Sequence, residues 1–168
     1  MRSGVIKASE ELGKVLSEKG LKITTVESCT GGGVAQAITA VTGSSEWFDM
    51  GFVTYANKAK ELLVGVNSKT LSTYGAVSEE TVYEMARGAL KVANANIAVA
   101  TSGIAGPGGG SPDKPVGLVW FAWAIKASNS CEVWCERRVF SGDRESVQAQ
   151  AIQYALEGAS QKVLDYCM

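Results

Sequence analysis

A chain of 168 residues is long enough to bury a substantial core and short enough to form one domain. Sixteen Lys and Arg against 17 Asp and Glu leave a formal charge of −1, so no general attraction to nucleic acid or anionic membrane is built in. There is no histidine, which excludes a Ser-His-Asp triad and any His-ligated zinc site, and none of the four cysteines forms a CxxC pair.

No apolar stretch reaches the length of a membrane span. The N-terminus carries Lys7, Glu10, Glu11 and Lys14 and reads as a polar helix, not a secretory signal, so a cytoplasmic location is the default. Residues 4–19 place Val5, Leu12, Val15 and Leu16 at helical spacing, and Gly20 ends that helix. Residues 21–26 read as a short strand. The run Glu27-Ser28-Cys29-Thr30-Gly31-Gly32-Gly33 follows it, and residues 31–41 read as a helix with Thr30 or Ser28 near its cap. Gly43-Ser44-Ser45 breaks the helix, residues 47–55 form a strand, and residues 57–63 form a short helix carrying Lys58 and Lys60. Residues 68–74 add another helical turn or two.

Ser78-Glu79-Glu80-Thr81 is the clearest helix start, with Ser78 as N-cap and acids in the first turn, and the helix runs to about Ala93. Residues 97–101 are a buried strand and residues 103–115 a Gly/Pro loop. Residues 117–126 and 131–140 read as a hairpin around 127–130, and Asp143 opens a last helix running towards Leu164. Strands and helices alternate first, and a hairpin follows. The fold class expected is α/β, a three-layer α/β/α sandwich with a mixed central sheet, as one domain over residues 1–168. Cys29, Cys131, Cys135 and Cys167 read as reduced, mostly buried thiols.

The run from Glu27 to Gly33 sets two hydroxyls, a thiol and three glycines at a strand-to-helix junction. Such a junction exposes side chains at a sheet edge and aims free N–H groups outward, so it suits a nucleophile or an anion. Ser28 is either a helix cap or a nucleophile. Cys29 is either a buried structural thiol or a nucleophile whose pKa the helix N-terminus lowers. Without histidine, a nucleophilic Ser28 needs lysine, carboxylate or tyrosine as its base. Lys58 and Lys60 sit at a helix start, where the dipole and partial burial lower a lysine pKa, although solvated surface lysines are the competing reading.

Ser102-Gly103-Ile104-Ala105-Gly106-Pro107-Gly108-Gly109-Gly110 leaves the C-terminal end of a buried strand, the usual ligand side of an open α/β sheet. It matches neither GxxxxGK[ST] nor GxGxxG, so it reads as a phosphate- or sugar-binding loop or as a connection needing unusual backbone angles. Ser111 to Lys114 matches SxxK by letters, but in a Pro/Gly loop instead of at a helix start, and carries no assignment. Arg144, at a strand-to-helix turn, suits a phosphate or carboxylate clamp, with an ion pair to Asp143 or Glu145 as the alternative.

Seven strings taken in order carry a resemblance. They are Thr25-Val26-Glu27-Ser28-Cys29-Thr30-Gly31-Gly32, Gly43-Ser44-Ser45-Glu46-Trp47-Phe48, Gly51-Phe52-Val53-Thr54-Tyr55, Gly75-Ala76-Val77-Ser78, Ser102-Gly103-Ile104-Ala105-Gly106-Pro107, Lys114-Pro115-Val116-Gly117 and Phe140-Ser141-Gly142-Asp143-Arg144. Over nearly its whole length the chain resembles the CinA C-terminal domain family, the competence/damage-inducible family whose active members are nicotinamide mononucleotide deamidases. It looks like a stand-alone form, without the molybdopterin-binding-like domain. The resemblance implies hydrolysis of nicotinamide mononucleotide to nicotinate mononucleotide and ammonia, with no metal or organic cofactor. It implies Ser28 as nucleophile, Lys60 as base with Lys58 as the other candidate, and Tyr55 relaying a proton or orienting the lysine. N–H groups around Cys29, Thr30 and Gly31 would hold the oxyanion. Ser102, Gly103, Gly106 and Gly108, with Ser44, Ser45 and Arg144, would take ribose and 5′-phosphate. Gly33 stands where other members carry a bulkier residue. Two other functions remain open: a non-catalytic mononucleotide-binding module acting in competence or damage response through protein contacts, and a cysteine amidase using Cys29. The small nucleotide is the expected partner, with no direct nucleic-acid or membrane binding. The hairpin's exposed edge and four tryptophans are features that self-association uses.

Overall fold

The computed structural model describes residues 3–167. In chain order the elements are α1 (Ser3–Lys19), β1 (Ile23–Glu27), α2 (Gly33–Thr39), a 3-10 turn (Ser44–Glu46), β2 (Phe48–Val53), α3 (Asn57–Val64), α4 (Ser68–Tyr74), α5 (Glu79–Ala93), β3 (Ile97–Gly103), β4 (Leu118–Lys126), β5 (Cys131–Val139) and α6 (Arg144–Tyr166). They form a five-stranded sheet in the order β2-β1-β3-β4-β5. β1 pairs in parallel with β2 and β3, whereas β3–β4 and β4–β5 are antiparallel. The expected α/β architecture with a mixed sheet and helices on both faces is therefore observed.

Alternation along β3 and β4 divides the core into two layers. Ile97, Val99, Val119, Phe121, Trp123 and Ile125 face α1, α2 and α6. Ala98, Ala100, Ala122 and Ala124 face α5. The second face is flat because its side chains end at Cβ, and α5 lies close against it with Val82, Met85, Ala86 and Ala89 fully buried. On the first face the larger side chains are met by glycines in the helices. Trp123 donates its indole N–H to the Ala155 carbonyl at 3.0 Å, and a Cβ on Gly158 would come within 2.2 Å of the same ring. Likewise a Cβ on Gly33 would sit 2.4 Å from Ile152 Cδ1, so the glycine lets α6 lie close against α2.

The caps explain where the helices start. Ser78 Oγ accepts from Thr81 N at 3.2 Å, as its sequence position implies, and Asp143 Oδ1 accepts from Ser146 N at 2.8 Å. The cap expected for α2 is different. Gly32 occupies the N-cap at φ 95° with no side-chain bond, and neither Ser28 nor Thr30 caps the helix. The Glu27 carboxylate does so instead, accepting from Val34 N at 2.7 Å and Ala35 N at 3.1 Å. Glu27 sits before the turn, so the chain must fold back over it, which spacing alone does not reveal.

All four cysteines are free thiols, but only Cys29 is buried and the other three are half-buried. No helix among the described residues is long and apolar enough to cross a membrane.

Candidate active site

The parallel strands β1, β2 and β3 end on the same side of the sheet, and the site forms there. Ser28 follows β1 directly, and its N–H donates to the Thr101 carbonyl of β3 at 2.9 Å. Thr54 follows β2, and its N–H donates to the Glu27 carbonyl at 2.8 Å. These two bonds extend the sheet one residue past the strands and fix the backbone that carries Ser28 and Thr54.

Lys60, on the first turn of α3, is fully buried at 0% exposure. Its Nζ lies 3.2 Å from Ser28 Oγ, 2.7 Å from the Thr54 carbonyl and 3.4 Å from the Tyr55 carbonyl. Among the described residues no carboxylate lies within ion-pair distance of it. Burial pushes the Lys60 pKa below the ordinary lysine range. A neutral amine has two N–H donors and one lone pair, and Lys60 has two carbonyls and one hydroxyl around it. In its neutral form the amine would donate to the Thr54 and Tyr55 carbonyls and keep its lone pair for the Ser28 hydroxyl, whereas an ammonium would donate to all three. Lys58, two residues and about 200° away on the helix, is exposed.

The pocket beside this pair has a volume of about 290 Å³. Ser28 and Cys29 form its floor, Ser102, Gly103 and Ala105 one wall, and Ala76 and Val77 another. Gly106, Gly108, Tyr55 and Arg144 lie round its mouth. Arg144 donates to the Gly106 carbonyl at 2.8 Å and to the Tyr55 hydroxyl at 3.1 Å, so one guanidinium ties three chain segments together at the rim. Its position follows from the Asp143 cap, which starts α6 one residue earlier. The Gly106–Pro107 peptide in this rim is cis. Ser102 Oγ donates to the Ala76 carbonyl at 2.8 Å and so anchors the Ala76–Val77 wall.

Several expected site residues lie elsewhere. Ser44 and Ser45 lie in the 3-10 turn that feeds β2, a strand's length of roughly 20 Å from its other end, beyond which α3 begins. Within one chain they do not reach the pocket. Thr30 is buried, its hydroxyl bonded to Glu27 Oε1 at 2.7 Å and to Thr101 Oγ1 at 2.8 Å, and neither it nor Gly31 lines the pocket. Tyr55 is at the mouth, 62% exposed, with its hydroxyl on Arg144; only its carbonyl touches Lys60. Burial pushes the Cys29 thiol up to about 12, the reverse of the lowering that the helix start suggested. Desolvation wins because the thiol is packed into the core and Glu27 adds a negative charge nearby. Lys114, of the SxxK string, donates to the Tyr74 carbonyl at 2.6 Å and braces a loop.

Sequence reasoning missed Glu27, Ala76 and Val77. All three stood within recognised strings, but Ala76 and Val77 have no chemistry of their own to mark them, and Glu27 was given no role there. Among the amides of the turn, those of Ser28, Gly31 and Gly33 donate to backbone carbonyls, and that of Val34 donates to Glu27. Among the described residues the Cys29 and Thr30 amides donate to no other residue. No metal-binding group of three or more His, Cys, Asp or Glu occurs among the described residues.

This arrangement can be set beside known proteins. Nicotinamide-nucleotide amidohydrolase PncC of Escherichia coli K12 is 52% identical over 162 residues, covering 96% of this chain and 96% of that protein. The crystal structure of a CinA superfamily protein from Klebsiella pneumoniae superposes with a TM-score of 0.91 at 38% identity, covering 96% of this chain and 99% of the other. That of the competence/damage inducible protein CihA from Agrobacterium tumefaciens gives 0.88 at 43% identity, with 94% of each chain covered. Residues 5–163, which include every side chain of the pocket and the whole sheet, match the CinA C-terminal domain, and the chain belongs to that family.

Proposed function

We propose that this protein is a nicotinamide-nucleotide amidohydrolase that converts nicotinamide mononucleotide and water into nicotinate mononucleotide and ammonia by way of a Ser28 acyl-enzyme. The observation that carries this reading is the buried, unpaired Lys60 amine 3.2 Å from Ser28 Oγ at the floor of the pocket. Burying a lysine without a carboxylate is costly, and a module that only bound a nucleotide would gain nothing from it. The 52% identity to the E. coli amidohydrolase supplies the substrate.

In this mechanism neutral Lys60 takes the Ser28 proton as Oγ attacks the carboxamide carbon. The Cys29 and Thr30 amides receive the developing oxyanion. Lys60, now an ammonium held by the Thr54 and Tyr55 carbonyls, gives its proton to the carboxamide nitrogen, and ammonia leaves. Lys60 then takes a proton from a water that attacks the acyl carbon, and returns it to Ser28 Oγ as the ester breaks. The Ala76–Val77 wall seats the pyridine ring, and Arg144 with the Gly106–Gly109 rim takes the phosphate. Cys29 does not serve as nucleophile, because a thiol with a pKa of about 12 carries almost no thiolate near neutrality.

The test is ammonia release from nicotinamide mononucleotide by wild type, Ser28→Ala, Lys60→Ala and Arg144→Ala. The first two variants are expected to lose activity by at least 10³-fold while folded, in keeping with the loss of a nucleophile or its base. Arg144→Ala is expected to raise KM with less effect on kcat. Full activity in folded Ser28→Ala would remove the mechanism. Nucleotide binding without ammonia release by wild type would favour a binding module.

A further inference from the structure

We propose that Glu27 is a positioning residue that holds both partners of the Ser28–Lys60 pair, fixing the turn that carries Ser28 and the strand end that holds the Lys60 amine. The inference rests on the amidohydrolase reading for its reaction, but its geometry is independent of the substrate. Glu27 is 0% exposed. Through its side chain it holds the nucleophile turn: Oε1 accepts from Thr30 Oγ1 at 2.7 Å and Val34 N at 2.7 Å, and Oε2 from Ala35 N at 3.1 Å. Through its carbonyl it holds the base: it accepts from Thr54 N at 2.8 Å, and the Thr54 carbonyl in turn accepts from Lys60 Nζ at 2.7 Å.

Gly32, at the N-cap of α2 with φ 95°, has no side chain to cap the helix, and that backbone conformation would strain a Ser, Thr or Asp placed there. A buried carboxylate is itself costly, and no Lys or Arg among the described residues pairs with it. Burial raises the Glu27 pKa even though hydrogen bonds from Thr30, Val34, Ala35 and Gly32 oppose it. What the carboxylate does and a surface cap would not do is fix the turn from inside. With Thr30's only hydroxyl proton donated to Glu27 Oε1, Thr101 is the donor in the Thr101–Thr30 bond. Thr101's carbonyl in turn receives the Ser28 amide at 2.9 Å. The closed chain Glu27–Thr30–Thr101–Ser28 locks the turn on both sides of Cys29. With Gly31 at φ 59° and Gly32 at φ 95°, the backbone after Thr30 has no side-chain restraint of its own.

Glu27→Gln keeps the size but sets an NH2 group against one of the helix amides. Its expected effect is a fall in kcat on the order of 10- to 100-fold, below that of deleting an oxyanion donor outright, with KM within about threefold. The second readout is the rate at which a fluorophosphonate, a substrate-independent serine reagent with a tetrahedral adduct, labels Ser28, followed by intact mass. It should fall by a similar factor. A residue that served stability alone would lower Tm and leave both rates of the folded protein unchanged, and that result overturns the proposal. Should Glu27→Gln fail to fold, Thr30→Val removes the middle link and leaves the helix cap. A folded Thr30→Val protein with wild-type kcat and labelling rate is equally fatal, and a slowed one supports the assignment. If wild type is labelled at Ser28 but releases no ammonia, slower labelling of Glu27→Gln upholds the positioning role while the substrate reading fails. Wild type that is not labelled at all removes the reactive turn and this role together.

Discussion

Gly88 lies on α5, away from the pocket, yet its close packing on α3 bears on where Lys60 sits. A Cβ added there would fall 1.8 Å from the Val64 carbonyl oxygen and 2.8 Å from its carbon, both backbone atoms of α3 that no rotamer change can move. An ordinary contact needs about 3.2–3.5 Å, so Gly88→Ala must push the end of α3 outward by roughly 1.5 Å. Val64 is one helical turn beyond Lys60, and the Lys60 carbonyl accepts from Val66 N at 3.1 Å, so the base moves with the helix. A displacement of about 1 Å at Nζ turns the 3.2 Å contact with Ser28 into one beyond hydrogen-bond reach. Misplacement on that scale is worth roughly 10²-fold in rate. Overpacking of this kind also costs about 1–3 kcal/mol, or roughly 2–12 °C in Tm for a domain of this length. The assay is ammonia release across nicotinamide mononucleotide concentrations, with a thermal melt of the same sample. The expected result is kcat lowered about 100-fold, KM little changed, and a cooperative melt at lower temperature. Folded Gly88→Ala with kcat within threefold of wild type would refute the claim that close packing of α3 on α5 sets the position of Lys60.

Two further outcomes are expected from the titration of the site. In the proposed mechanism Lys60 takes the Ser28 proton only when neutral, so kcat/KM should rise with pH through a single group below the ordinary lysine range of about 10.4, then level off. Stability follows the same sign: between the lowered folded value and the unfolded one the unfolded chain binds more protons, so this residue's contribution falls as pH falls through that window. A profile flat from pH 6 to 10 would contradict the assignment. Cys29, with its thiol at about 12 against an unperturbed 8.5 or so, should be alkylated by iodoacetamide at pH 7.5 on the order of 10³-fold more slowly than a free cysteine, read by peptide mass. Rapid alkylation of Cys29 with parallel loss of activity would move the nucleophile to the thiol.

Much of this protein was legible from local chemistry. Helical spacing set α1, the Ser78 and Asp143 caps set the starts of α5 and α6, and the glycine-rich run after a short strand marked the turn that carries Ser28 to the pocket. The absence of histidine directed the search for a base to lysine. These are signals carried by neighbours in sequence, because caps, turns and periodicity act over a few residues. The tertiary structure decided what depends on distant contacts. Lys58 and Lys60 point to opposite sides of the same helix, and only the packing of α3 on α5 turns Lys60 inward and strips it of water. Ser44 and Ser45 look as suitable as Ser102 in sequence, but the length of β2 carries them to the other end of the sheet. Glu27 reads as an ordinary polar residue beside a serine until the chain folds over it and makes its carboxylate the cap of α2. Cys29 shows the same division: the helix start that should lower its pKa is local, but the burial that overrides it belongs to the assembled core. Desolvation depends on everything packed round a group, and so it is the quantity a one-dimensional reading is least able to supply.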